Sequence, residues 1–284
     1  MQTRGRRSKR KWKKGRIAAI FAVIAVFVLG GVFIVHANRT KYEKVNKGMG
    51  EYIVQANDKL LGKDTGKEIK KALYVPRKID KTKKLIAFSF DDGPKPGNTE
   101  RVVKALEKND ARASFYMLGQ NAKAYPKIVK MVSESGNEVS GHSYDHPLLS
   151  KLSAAGVAEQ YKKMNDAIFA ACGSKAANFR PPYGGINDTV RKNIDGPLIL
   201  WSVDTLDWKT RNTKATVDSI LKHAKDGDII LMHDIHEPTV KAVEEVLPQL
   251  KAKGYEVCTV SELLEAKGIK VKKGQTVISA SQIQ

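Results

Sequence analysis

The chain has 284 residues, 42% of them hydrophobic and 28% charged, enough to bury one sizeable core and to exclude a disordered polypeptide. The formal net charge is +20, but nine of the fifty lysines and arginines precede Ile17, which leaves an excess of eleven over the rest. Nucleic acid is one partner that such a charge fits; an exported topology, argued next, makes an anionic extracellular matrix the better match and nucleic acid a poor one.

In chain order the first segment, residues 1–16, is the basic block, with Arg4, Arg6, Arg7, Lys9, Arg10, Lys11, Lys13, Lys14 and Arg16. Residues 17–35 follow without a single charge, long enough to cross a bilayer as a helix. A secretory signal has a shorter apolar region, roughly 7–15 residues, so residues 17–37 are predicted to be a retained single-pass signal anchor. The basic flank then faces the cytoplasm and the chain after Asn38 faces outward. Val35-His36-Ala37 is also an acceptable cleavage site, and cutting after Ala37 would release a secreted protein.

Residues 38–82 are polar and rich in lysine, with one predicted helix at 42–61, and read as a stalk. From residue 85 short apolar runs alternate with amphipathic stretches. Strands are predicted at 85–90, 113–118, 138–140, near Phe179, and at 198–203, 228–232 and 256–260. Helices are predicted at 98–108, 126–135, 153–171, 187–193, 214–224 and 239–253, the second with Ile128, Val129, Met131 and Val132 on one side.

Such alternation implies a parallel sheet, open or closed into a barrel. Asp91, Asp92, His142, Arg180, Asp207 and His233 all fall at or just after the C-terminal ends of different predicted strands, and a barrel gathers those ends round one mouth. The expected fold is therefore α/β, a distorted (β/α) barrel with fewer than eight regular units over residues 83–267, preceded by the transmembrane helix. Residues 268–284 are expected to be a short polar tail. The two cysteines, Cys172 and Cys258, lie where a disulfide could form, although Cys258 sits in a predicted core strand where a buried thiol is ordinary.

His142 and His146 are one helical turn apart in sequence and follow the acidic doublet Asp91-Asp92. Two imidazoles and one carboxylate are a common ligand set for a divalent cation that keeps positions open for water and substrate. The second carboxylate is then free to act as a base. Taken alone, Asp91-Asp92-Gly93-Pro94 is a turn with helix-entry residues; the two histidines downstream favour the metal. His223 falls on an amphipathic helix and reads as a surface residue.

Five clusters in order carry more than any one of them: Ser89-Phe90-Asp91-Asp92-Gly93-Pro94, His142-Ser143-Tyr144-Asp145-His146, Arg180-Pro181-Pro182-Tyr183-Gly184, Asp204-Thr205-Leu206-Asp207-Trp208 and Leu231-Met232-His233-Asp234. Together they resemble the five motifs of the polysaccharide deacetylases, carbohydrate esterase family four, with Ser89 where threonine is commoner. The resemblance covers residues 83–267. It implies a hydrolase of amide-linked acetyl groups that uses one divalent ion, Zn2+ first, with Co2+ or Mn2+ as alternatives. Asp92, His142 and His146 would be the ligands, Asp91 the general base, and Arg180 the partner that aims Asp91.

By the same resemblance the backbone N–H of Tyr183 would hold the oxyanion and His233 would be the general acid, oriented by Asp207. Leu231 and Trp208 would wall the acetyl pocket; as isolated residues they read as core. Asp234 and His236 receive no role. The family's motifs do not separate chitin, acetylxylan, poly-N-acetylglucosamine and peptidoglycan. A cationic domain tethered outside the membrane meets its own wall first, so N-acetylglucosamine in peptidoglycan is the expected substrate, with another polysaccharide as runner-up. The intact Asp91-Asp92 pair argues against the subgroup that acts on muramic acid. A non-catalytic wall-binding protein is the reading from another class. No protein partner is implied.

Overall fold

A computed structural model describes residue 77 and residues 79–284. The predicted anchor at 17–37, the stalk helix at 42–61 and the basic segment lie outside the described residues. Among the described residues no helix is long and apolar enough to cross a membrane.

The chain enters through β1 (Lys84–Asp91), where the period-two pattern divides the molecule. Ile86, Phe88 and Phe90 join the larger hydrophobic cluster, between sheet and helices, while Leu85 and Ala87 join a second cluster with Tyr116, Ile199 and Ile229. Ser89 and Asp91 continue that second face upward. On one side β1 pairs in parallel with β2 (Ser114–Met117), which pairs with β3 (Glu138–Gly141). On the other it pairs with β6 (Ile229–Met232), which pairs with β5 (Val203–Asp204). The N-terminal half of β1 also pairs with β7 (Tyr255–Cys258).

Single-residue bridges at Phe179 join Gly141 to Leu198, the first residue of β4 (Leu198–Ile199). The parallel sheet therefore curls from β5 round to β4, and these two segments are three residues apart in the chain. The predicted strand at 198–203 is split there: the carbonyls of Ile199 and Leu200 turn to Arg180.

Among the described residues six helices cover the outside, neighbour packing on neighbour: α7 (Thr213–His223), α8 (Glu237–Ala252), α1 (Asn98–Lys108), α3 (Pro126–Glu134), α4 (Ala154–Cys172) and α5 (Asp188–Asn193). Their ends follow local chemistry. In α4 the Ser153 hydroxyl accepts from the Gly156 N–H at the start, and Gly173, at φ 76°, closes the other end in the left-handed conformation that glycine adopts without strain. Three short helices escape the periodicity: α2 (Gly119–Ala124), α6 (Asp207–Thr210) and α9 (Val260–Ala266). The last begins inside the strand predicted at 256–260.

The segment after Gly268 is not a polar tail. Residues Thr276–Ser279 form β8, parallel to β4, and Gln282–Ile283 form β9 against it. Val277 is fully buried in the inner cluster. Cys172 and Cys258 are both buried and free. His223 is exposed at the end of α7, as expected.

Candidate active site

The C-terminal ends of the strands bring together the residues singled out by sequence. Asp91 is the last residue of β1 and points inward, buried; Asp92 follows with φ 71°, a left-handed turn that swings its carboxylate to the same side as the histidines. His142 leaves the end of β3. It and His146 are not on a helix: Ser143 at φ 66° and His146 at φ 67° fold the loop back on itself, and the Ser143 hydroxyl accepts from the His146 N–H at 3.0 Å. Non-glycine residues hold such backbone only when surrounding structure fixes it, and they cluster at functional sites. The two rings lie 5.0 Å apart.

One oxygen organises the cluster. Asp92 Oδ1 is 3.6 Å from His142 Nε2 and 3.4 Å from His146 Nε2, and it is buried without a hydrogen-bond partner. His142 Nδ1 lies 2.7 Å from the Arg180 carbonyl, which can only accept, so Nδ1 carries the proton and Nε2 presents its lone pair. Burial, then the neighbouring His142 ring, hold His146 below its ordinary range despite the nearby carboxylates. Three donor atoms within 4.8 Å of one another, one of them an orphaned buried oxygen, fit a cation. Tetrahedral ligands at about 2.0–2.1 Å from one ion sit roughly 3.4 Å apart, close to the spacings found here.

Asp91 stands beside this set, its Oδ2 3.5 Å from His142 Nε2. Its other oxygen accepts from Arg180 Nη1 at 2.6 Å. Arg180 is wholly buried and also donates to the Ser89 hydroxyl and the carbonyls of Ile199 and Leu200, with its guanidinium carbon 4.0 Å from the centre of the Tyr116 ring. Such a charge is tolerable inside a protein only when paired and well hydrogen-bonded, and here each of its three nitrogens donates. Ser89, noted in the sequence only as a departure from threonine, is thus a link in the chain that fixes Asp91.

Opposite lies the second pair. His233 follows β6, and its Nδ1 is 2.9 Å from Asp207 Oδ1 while its backbone N–H donates to Asp207 Oδ2 at 2.8 Å. Burial disfavours the charged ring, but the Asp207 hydrogen bond and charge, with Asp91 and Asp92 further off, outweigh it and hold His233 up to about 9. Burial likewise opposes ionisation of Asp207, yet the bonds from His233 and Thr239 keep it below its ordinary range. Thr239, 2.7 Å from Asp207 Oδ2, is a member that sequence reading missed, because only the fold brings the first turn of α8 to this corner.

Tyr183 has φ 59° in the turn Pro182–Gly184, its ring edge-on to His146 at 4.6 Å and 69% exposed. Leu231 is buried yet joins neither hydrophobic cluster; its register with Ser89 sets it on the inner face, two residues beyond Ile229 toward the strand ends. Trp208, on α6, is 47% exposed and is not core. Asp234, unassigned by sequence, is fully buried, accepts from the Thr99 hydroxyl, and is pushed up to about 7 by burial, with Asp92 adding to the rise. A Cβ on Gly93 would come within 2.6 Å of its Oδ1, so the turn after Asp92 has room only for glycine.

A model of the polysaccharide deacetylase family matches residues 78–195. The chain is 39% identical over 215 residues to the peptidoglycan-N-acetylmuramic acid deacetylase PdaC of Bacillus subtilis, covering 74% of this chain and 46% of that protein. It is 36% identical over 214 residues to a peptidoglycan-N-acetylglucosamine deacetylase of Bacillus cereus, covering 71% of this chain and 98% of the relative. The solved structure of Bacillus subtilis PdaC superposes with a TM-score of 0.65 at 40% identity, over 67% of this chain and 94% of that one. The chain thus spans less than half of full-length PdaC and nearly all of the Bacillus cereus relative. With the five sequence clusters gathered round one mouth and a relative matched along almost its whole length, the chain belongs to the polysaccharide deacetylase family, carbohydrate esterase family four.

Proposed function

We propose that the protein removes acetyl groups from N-acetylglucosamine in peptidoglycan, releasing acetate. The observation that carries this reading is the meeting of Asp92 Oδ1, unpartnered and buried, with two histidine nitrogens, while a separately held carboxylate, Asp91, stands next to them. An amide is a poor electrophile; Asp92, His142 and His146 would hold a divalent ion, which when bound would supply Lewis acidity toward the carbonyl and toward water. Zn2+ is the first candidate, with Co2+ or Mn2+ alternatives for a mixed imidazole and carboxylate set.

The chain's own residues then divide the proton work. Asp91, aimed by Arg180, takes a proton from the attacking water. The N–H of Tyr183 faces the developing oxyanion, a donor of the kind whose loss typically costs about a hundred- to a thousandfold in rate. His233, kept protonated by Asp207, delivers a proton to the departing nitrogen, which cannot leave as an anion. Leu231 and Trp208 flank the acetyl methyl group.

In this reading residues 17–37 anchor the protein in the cell membrane with its N-terminus inside, which brings the catalytic unit to the wall. The nineteen uncharged residues and their basic flank support it. Residues 38–82 serve as stalk and 83–284 as the catalytic unit, β8 and β9 included. Loss of membrane association on deleting residues 17–37 checks this topology.

A second reading has specific support. The PdaC relative is named for N-acetylmuramic acid, so that sugar stands beside N-acetylglucosamine as the acetyl donor to be tested. Acetate release from purified peptidoglycan, poly-N-acetylglucosamine, chitin fragments and acetylxylan, followed by identification of the deacetylated sugar, decides among substrates. Asp91→Asn and His233→Ala should each lower the rate by about a hundred- to ten-thousandfold with the fold intact. Unchanged rates would refute those roles, and a wild-type protein that binds wall material but releases no acetate would be the non-catalytic wall binder.

A further inference from the structure

The rim beyond His233 holds a cation that the proposed reaction leaves unused. Arg211 closes α6 with φ 47°. Its Nε donates to the Trp208 carbonyl at 2.7 Å, and its Nη1 lies 2.6 Å from His236 Nδ1. A guanidinium can only donate, so the His236 nitrogen accepts and that ring is neutral. Burial and the Arg211 charge push His236 down to about 4, consistent with an acceptor at neutral pH. The His236 ring stands 5.9 Å from that of His233.

These two bonds fix an exposed guanidinium one ring beyond His233 and beside Trp208. Among the described residues no carboxylate lies within ion-pair distance of it, whereas Arg101, Arg112 and Arg180 each have one. An arginine already immobilised has lost its rotamer freedom before any ligand arrives, and its planar fork matches a carboxylate.

We propose that Arg211 binds a carboxylate carried by the sugar next to the one being deacetylated, so that the site selects acid-bearing glycan over neutral polymers of N-acetylglucosamine. This rests on the wall-glycan reading above. Two groups in peptidoglycan offer that chemistry: the lactyl ether of muramic acid once its peptide is removed, and the free carboxylates of the stem peptide.

The test compares kcat/KM for wild type, Arg211→Gln and Arg211→Lys on three substrates of matched length: peptide-bearing glycan, glycan trimmed of peptide, and N-acetylglucosamine oligomers. The ratio of acid-bearing to neutral substrate should fall about tenfold in the glutamine variant, mainly through KM, with partial retention by lysine. Added salt should lower the wild-type ratio and leave that of Arg211→Gln flat. Whichever acid-bearing substrate loses the preference identifies the carboxylate. An unchanged ratio, or equal loss on all three substrates, overturns the proposal and makes Arg211 a brace for α6. A wild type inactive on every glycan, the neutral oligomers included, refutes the deacetylase reading itself and this inference with it.

Discussion

His233 and Asp207 show how far a single pair of residues can be argued. The imidazole is mostly enclosed, and enclosure alone would strip its proton; the carboxylate of Asp207, doubly bonded to His233, reverses the outcome and sets the ring at about 9. Asp207→Asn keeps the shape and removes the charge, so burial is then opposed only by the smaller effects of Asp91 and Asp92. The His233 titration, followed by NMR in the metal-free protein, should drop well below about 9, and acetate release should fall about a hundred- to ten-thousandfold. A ring still titrating near 9 would place the cause elsewhere. The stability linkage has a definite sign. A folded value above the unfolded one means that His233 contributes fully below about 6.5 and loses that contribution as pH rises through about 9.

At the same scale, Asp91, Asp92, His142, Arg180, Asp207 and His233 were legible in sequence because each lies at or just after a predicted strand end, and His146 through its spacing from His142 and the ordered motif that holds both. Ser89 and Thr239 were not: their value comes from Arg180 and Asp207 reaching them across the fold.

Among the elements, long periodic segments were readable and short ones were not. Helix α1 has the predicted bounds because eleven residues give its apolar face several repeats. Helix α9, with seven residues, was not predicted, and its first residue, Val260, was read as the end of a strand because Val257, Cys258 and Val260 extend the apolar stretch; the sequence did hold a signal in the capping box of Thr259 and Glu262. The spacing of His142 and His146 suggests a helix face, whereas positive φ angles in a loop bring the rings together.

The last strands are a long-range effect that local composition could not reveal. Val277 is buried against β4, and Arg191 donates to the Gly274 carbonyl and the Thr276 hydroxyl at 2.7 Å each. Deleting residues 274–284 exposes this edge and should cost about 2–4 kcal/mol in chemical denaturation, as expected for one large buried side chain and its lost pairing. An unchanged midpoint would show that these residues merely rest on the surface.

On the scale of the whole molecule, the curled parallel sheet explains why residues spread from Asp91 to His233 meet: the C-terminal ends of β1, β3, β5 and β6 and the bridge at Phe179 open on one mouth. The alternation of elements made that architecture legible, and the family comparison agrees with it. The identity of the polymer is a matter of the rim, where Tyr183, Trp208 and Arg211 stand exposed, and no strand pattern encodes it.

The central claim is that Asp92, His142 and His146 hold one divalent ion on which Asp91 depends for its chemistry. Stripping the protein with a chelator and returning Zn2+ in substoichiometric steps, while following acetate release from peptidoglycan, tests it most directly. The account predicts no release from the stripped protein and a linear recovery that ends at one ion per chain; full release without metal, or recovery that ignores stoichiometry, would contradict it.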